Sequence, residues 1–188
     1  CSGTAPDSLI NEITAGGGQT FNYQWFDSTK GGSWATVSGI NNLEFYQPSA
    51  VNETTWFRRA AIDPGCGYTS WSNVLKVNVY KPLTAGTLNG VASICPNDTP
   101  NLITESVEAT GSNWRYSHSW QDSTKGGSWT SIAGADTTFY QPGPLTETTW
   151  FRRIDSAICG ADTTNTLQVT VDPVPKAAFG VENLCYGD

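Results

Sequence analysis

The chain has no methionine and only one histidine, His118. Nucleophilic devices of the Ser/His/Asp or Cys/His type need a histidine beside the nucleophile, so this chain has room for one such set at most. The missing initiator sets the expectation that the chain is a piece of a longer precursor, and absent targeting signals then carry no weight. Ten Lys and Arg against seventeen Asp and Glu leave a net charge of −7, the wrong sign for nucleic acid or an anionic membrane surface. No apolar run approaches the ~20 residues of a membrane-spanning helix. No segment sustains helical periodicity, whereas the abundance of Thr, Ser, Gly, Asn, Trp and Tyr favours β structure. The five cysteines are isolated from one another and from His118, a poor pattern for a metal centre.

What is present is a repeat. Asp27-Ser28-Thr29-Lys30-Gly31-Gly32-Ser33-Trp34 recurs letter for letter at Asp122-Ser123-Thr124-Lys125-Gly126-Gly127-Ser128-Trp129, and a tryptophan, Trp25 or Trp120, stands two residues before each copy. The register continues. Tyr46-Gln47-Pro48 matches Tyr140-Gln141-Pro142, and Glu53-Thr54-Thr55-Trp56-Phe57-Arg58-Arg59 matches Glu147-Thr148-Thr149-Trp150-Phe151-Arg152-Arg153. Cys1 matches Cys95, and Cys66 matches Cys159. This divides the chain into repeat 1 (residues 1–81), repeat 2 (82–175) and the start of a third module, immunoglobulin-like or PKD-like (176–188). Part of Lys81–Ala92 is too apolar for a tether and reads as the first strand of repeat 2; Asp172–Pro175 reads as a shorter joint.

Within repeat 1, turn residues separate expected strands at Ser8–Thr14, Thr20–Asp27, Trp34–Val37, Leu43–Gln47, Thr54–Ile62 and Thr69–Tyr80. Phe21, Tyr23 and Trp25 alternate with polar neighbours, so one face points to a core. Six or seven short strands in about a hundred residues predict an all-β fold: two tandem immunoglobulin-like sandwiches. The shared octapeptide reads as a hairpin with positive φ at Gly31-Gly32. Its exact recurrence is read as a demanding turn in duplicated copies rather than as a binding loop. If the array touches a partner repeatedly, Lys30 and Lys125 are the first candidates for contact.

The spans Cys1 to Cys66 and Cys95 to Cys159 are nearly equal, which predicts one disulfide inside each repeat, with Cys185 left over. The expectation assumes that the loop before the last strand returns to the end where the first strand starts. Disulfides place the protein outside the cytoplasm. A lipidated Cys1 is the competing reading, but the register with Cys95 explains the residue without lipid.

His118 aligns with Tyr23 and is read as filling a strand face. Glu105 and Glu108 have no counterparts in repeat 1, so no glycosidase carboxylate pair is nominated. The recurring tryptophans read as core or corner residues. Trp71 and Trp114 do not recur and are the candidates for a carbohydrate-stacking platform. The arginine pairs, one residue on each face of a strand, read as structural: one stacked on tryptophan, the other paired with a carboxylate. No cofactor or metal is expected, with structural Ca²⁺ at the acidic joints as a third and weaker reading.

The combination of an early Cys, Tyr-Gln-Trp, the Asp-Ser-Thr-Lys-Gly-Gly-Ser-Trp hairpin, Tyr-Gln-Pro, Glu-Thr-Thr-Trp-Phe-Arg-Arg and a second Cys resembles the immunoglobulin-like repeats of giant Bacteroidota cell-surface adhesins, the SprB-like gliding-motility type among them. The resemblance covers residues 1–175. It implies type IX export, an extracellular cell-surface location, many more repeats, and a non-enzymatic role as a load-bearing stalk in attachment and gliding. The partners would be neighbouring repeats and a surface polysaccharide or substratum, with no membrane insertion of the chain itself. The alternative is a pair of carbohydrate-binding accessory modules of a secreted polysaccharide hydrolase. The resemblance also draws attention to Asp-Ser and Asp-Thr triplets as O-glycosylation candidates at Ser8, Ser28, Ser123, Thr137, Ser156 and Thr163; the competing reading is that such pairs simply start turns.

Overall fold

A computed structural model describes residues 1–16, 20–90 and 93–178. Among them there is no helix, and the chain is all-β. Repeat 1 contributes β1 (Asn22–Thr29), β2 (Ala35–Thr36), β3 (Thr55–Ile62), β4 (Thr69–Trp71) and β5 (Leu75–Val77). They form one sheet in the order β2-β1-β3-β4, with β5 also pairing β3. The long antiparallel pairing of β1 with β3 sets Trp25 opposite Arg59 and Phe26 opposite Arg58. β4 and β5 share β3 as partner, β4 along Ala60–Ile62 and β5 along Thr55–Phe57. The single strand expected over Thr69–Tyr80 is therefore broken. At the break the Ser72 hydroxyl accepts the Arg59 amide at 2.9 Å and donates to the Asn73 carbonyl at 2.8 Å, a side-chain substitute for the ladder.

Repeat 2 contributes β6 (Thr87–Asn89), β7 (Ser93–Ile94), β8 (Thr104–Val107), β9 (Ser117–Thr124), β10 (Thr130–Ser131), β11 (Thr149–Ala157), β12 (Gly160–Thr163) and β13 (Leu167–Val171). The main sheet runs β10-β9-β11-β13-β7, with β12 also pairing β11, and β6 pairs β8 in a separate ribbon. In repeat 1 the expected Ser8–Thr14 and Leu43–Gln47 strands are reduced to an isolated bridge, Leu9 with Tyr46, as the matching residues Ile103 and Tyr140 are bridged in repeat 2.

Both cores are built from the same three rings. In repeat 1 Trp25, Tyr46 and Phe57 meet at centroid distances of 5.9 and 6.0 Å. In repeat 2 Trp120, Tyr140 and Phe151 meet at 5.4 and 5.8 Å. Each buried indole N–H finds a backbone carbonyl, Leu43 at 2.9 Å and Thr137 at 2.8 Å. A ring pair of this kind adds roughly 0.5–1.5 kcal/mol to the burial of its area. Gln47 and Gln141 fasten the entering segment by donating to the carbonyls of Pro6 and Pro100 at 2.9 and 2.8 Å.

The compact units do not coincide with the sequence repeats. Unit 1 comprises Cys1–Thr84 together with Thr110–Arg115 and Ser156–Gly160, and unit 2 takes the remaining described residues. In unit 1 the borrowed Thr110 exchanges both backbone hydrogen bonds with Thr84 at 2.9 Å, and Ser112 donates to the Lys81 carbonyl. Gly111, at φ 81°, is required there: a Cβ would stand 2.0 Å from the Pro82 carbonyl oxygen. Of the expected third module, Lys176–Ala178 is exposed and lies in no strand, and residues 179–188 lie outside the described residues.

Candidate functional site

The disulfide corrects the expected pairing. Cys1 is bonded to Cys159, across 158 residues, with a Cα–Cα distance of 5.5 Å. Neither Cys1–Cys66 nor Cys95–Cys159 forms; Cys66 and Cys95 are free and exposed, and Cys185 lies outside the described residues. The reason lies in β3. Cys1 sits beside Tyr80, whose carbonyl accepts the Ser2 amide at 2.8 Å, and Val79 in turn bonds the Thr54 hydroxyl at 3.1 Å. That is where β3 starts, whereas Cys66 lies in the turn beyond Ile62, where β3 ends. Eight strand residues, about 26 Å, separate the two. The hairpin tip of repeat 2 supplies the partner instead: Cys159 accepts a place in unit 1 through the Ser112 hydroxyl, 3.2 Å from its amide.

The two exact hairpins are turns tied to their own repeats. Positive φ falls on Lys30 (55°) and Gly31 (71°), and on Lys125 (54°) and Gly126 (69°), rather than on the two glycines. Both central residues in the left-handed region make a type I′ turn, closed by Gly32 N–H to the Thr29 carbonyl at 3.0 Å. Lys30 forms an ion pair with Glu53 and Lys125 one with Glu147, so both candidate contact lysines have partners within their repeats. Ser28 and Ser123 are buried and donate to the carbonyls of Gly32 and Gly127 at 2.7 Å. That burial removes them as glycan acceptors in the folded chain. Ser8, Thr137 and Thr163 are exposed, and Ser156 is half-buried on β11.

The paired arginines organise the chemistry of each repeat. Outward-facing Arg58 lies between the indoles of Trp34 and Trp71, at 4.2 and 4.1 Å, and Phe26 meets the Trp71 ring at 5.2 Å. Its Nε is buried without a hydrogen-bond partner. Arg152 lies 4.1 Å over Trp129 and satisfies its Nε on Gln121 at 2.8 Å. Trp71 is 47 % exposed with one face engaged in this way; Trp114 is 69 % exposed at φ 60°.

Inward-facing Arg59 and Arg153 differ more. Arg59 donates to the Glu44 carbonyl at 2.6 Å and lies over Tyr23 at 4.4 Å, while the Tyr23 phenol donates to the Glu44 carboxylate at 2.9 Å. Arg153, fully buried, forks onto Asp155 at 2.6 and 2.9 Å, pairs with Glu105 and donates to the Thr138 carbonyl at 2.6 Å. Asp155, also fully buried, takes further bonds from the Gly86 amide at 2.9 Å and from His118 Nδ1 at 2.8 Å. Burial alone pushes the Asp155 carboxyl up, but the Arg153 guanidinium, the Gly86 amide and His118 together hold it below the usual carboxylate range. His118 is thus more than strand filling: it is one wall of a buried ionic cluster. Sequence reasoning named Glu105 and His118 separately and missed Asp155, whose only signal was an aspartate where repeat 1 has Ala61.

Beside Arg59, unit 1 carries a groove of about 750 Å³ lined by residues that include Asn11, Trp25, Arg59, Trp71 and Asn73. Among the described residues no three of His, Cys, Asp and Glu come together as a metal site requires, and no helix is long and apolar enough to cross a membrane.

A model of one protein family, a domain of unknown function, DUF8696, matches the chain twice, over residues 1–81 and 84–173. The chain belongs to the DUF8696 family. A search of curated proteins found no match. The second DUF8696 copy begins before β6, so the β6 strand is part of the family's repeat.

Proposed function

We propose that these DUF8696 repeats form a non-enzymatic, load-bearing segment of a large secreted adhesin at a bacterial cell surface, serving attachment and gliding. The observation that carries the reading is the bond between the start of repeat 1 and the hairpin tip of repeat 2. Tension entering at Cys1 passes through sulfur to Cys159 and bypasses everything between. Two copies of one family in series support the same reading.

Stretching the chain by its ends tests it. The oxidised chain is expected to lengthen only beyond Cys159. Reduction is expected to release roughly 550 Å more, at about 3.5 Å per residue over the bridged span. An oxidised chain that opens fully at the same force as the reduced one would sink the reading. A carbohydrate-binding accessory role has one observation in its favour, the half-exposed Trp71 at the groove of unit 1. Glycan-array binding that is lost on Trp71→Ala would select it.

A further inference from the structure

We propose that the Cys1–Cys159 disulfide is one link of a series, in which the first cysteine of each repeat bonds the hairpin cysteine of the repeat that follows. Cys95 is then the attachment site for the hairpin cysteine of a following repeat of this family, and Cys66 that for the first cysteine of a preceding one. The inference rests on the observed bond and on the repeat register, and it stands whether or not the segment carries load.

The two first cysteines sit in the same turn. The carbonyls of Cys1 and Cys95 accept the amides of Thr4 and Asp98 at 3.2 and 3.1 Å. Inside the turns Gly3 at φ 80° and Asn97 at φ 70° take the left-handed backbone that glycine and asparagine tolerate best. Their amides donate to the carbonyls of Val51 and Leu145 at 2.9 and 2.7 Å. The end of each repeat is pinned alike: the Val79 and Val171 amides donate to the Thr54 and Thr148 hydroxyls, both at 3.1 Å. Cys95 therefore offers an exposed thiol on the frame that holds Cys1.

The two hairpin cysteines also correspond. Cys159 stands between β11 and β12, and Cys66 between β3 and β4. Each precedes a positive-φ glycine, Gly160 at 106° and Gly67 at 72°. The hairpin of repeat 1 is the longer, with 13 residues from Arg59 to Ser72 against 11 from Arg153 to Thr164. Its extra residues are held in place, because the Asp63 carboxylate accepts the Gly65 and Cys66 amides at 2.7 and 3.2 Å.

A second part of the joint recurs with the thiol. Cys159 comes to Cys1 together with the segment that precedes β9. The Ser112 hydroxyl accepts the Cys159 amide at 3.2 Å, and the Ser112 amide donates to the Lys81 carbonyl at 2.9 Å. Gly111 lets that segment pass the Pro82 carbonyl, where a Cβ would stand 2.0 Å from the oxygen. Repeat 1 keeps the glycine: Gly16 lies as far before β1 as Gly111 lies before β9. Repeat 1 thus carries both the thiol and the bare backbone position that repeat 2 uses to join its predecessor.

The bond forms by thiol–disulfide exchange with a disulfide oxidant such as oxidised glutathione. One thiolate attacks it and releases one glutathione; the second thiolate attacks the mixed disulfide and releases the other. The two thiols lose two protons and two electrons, and the oxidant is reduced to two glutathione molecules.

Between separate copies of this chain the matching pair is Cys95 of one copy with Cys66 of the next. Two variants test it, Cys66→Ser and Cys95→Ser, each also carrying Cys185→Ser. Both cysteines are exposed, so these changes leave the cores untouched. Each variant is oxidised with oxidised glutathione alone and as an equimolar mixture, then run on a non-reducing gel and peptide-mapped. The mixture is expected to give a Cys66–Cys95 dimer at least tenfold above the self-linked dimer of either variant alone, with Cys1–Cys159 intact. The chain carrying only Cys185→Ser is expected to give a ladder of head-to-tail oligomers. Self-linked dimers in comparable amount, glutathione adducts alone, or a Cys1–Cys66 bond would overturn the proposal.

Discussion

Repeat 1 and repeat 2 place an arginine at the same point of the same strand and neutralise it in opposite ways. Arg59 lies against Tyr23 and a carbonyl, with Ala61 two residues on. Arg153 is locked to Asp155 and Glu105, with His118 behind. The ring triad beneath is the same, so the difference is one of side-chain chemistry on a common frame. A buried guanidinium needs its donors satisfied, and either π faces with carbonyls or a carboxylate cluster will do so. β6 seals the cluster in unit 2, where a carboxylate gains the Gly86 amide as a further donor. In unit 1 Arg59 lines a groove of about 750 Å³.

The comparison can be broken hardest at the disulfide. Cys159→Ser frees a 158-residue loop and is expected to cost on the order of 5 kcal/mol by loop-closure entropy, read as a lower denaturant midpoint that matches the reduced wild type. Next comes Asp155→Ala, which strands a buried Arg153; a loss of about 3–5 kcal/mol is expected, whereas repeat 1 has Ala61 at the matching position and no carboxylate to lose.

The same cluster gives the repeats different responses to acid. Asp155 has a depressed folded value, so its stabilisation is fully present above the unfolded carboxylate value near 3.9 and is lost as pH falls through the lower folded one. Acid unfolding followed by chemical denaturation below about pH 4 should show this loss in the wild type and a flatter response in Asp155→Asn.

A smaller effect separates the outer faces. A double-mutant cycle on Arg58 and Trp71 should return a coupling of about 0.5–1 kcal/mol, while Thr163→Ala, at the matching place in repeat 2, should stay within about 0.5 kcal/mol. Smallest of all, Lys30→Glu or Lys125→Glu should change stability by under about 1 kcal/mol in a thermal melt, because both ion pairs are solvent-exposed.

Much of the frame was legible in the residues. Alternation around Trp25 and the recurring Thr-Thr-Trp-Phe-Arg-Arg located β1 and β3, and the turn residues located their ends. The arginine reading was right for Arg58 and Arg152 on tryptophan and for Arg153 on carboxylates; Arg59 differs because Ala61 offers it no charge. Thr69–Tyr80 looked continuous because nothing in Ser72-Asn73 says that a hydroxyl will replace a rung of the ladder. Leu43–Gln47 looked like a strand because alternation records which face is buried, not whether a neighbour is there to pair. Ser28 looked available because a side chain folded back onto its own turn reads like any other turn serine.

The sequence by itself determined the repeat, its register, the all-β class and the aromatic core, because each depends on local periodicity and on side chains that recur at fixed spacing. Only the tertiary structure decided the cysteine partners and the buried cluster. Cys1 and Cys159, or Glu105 and Asp155, are brought together by which end of an eight- or nine-residue strand meets which neighbour. Equal spacing along a chain carries no information about that, since a strand puts its two ends some 26–30 Å apart whatever the cysteines at those ends would prefer.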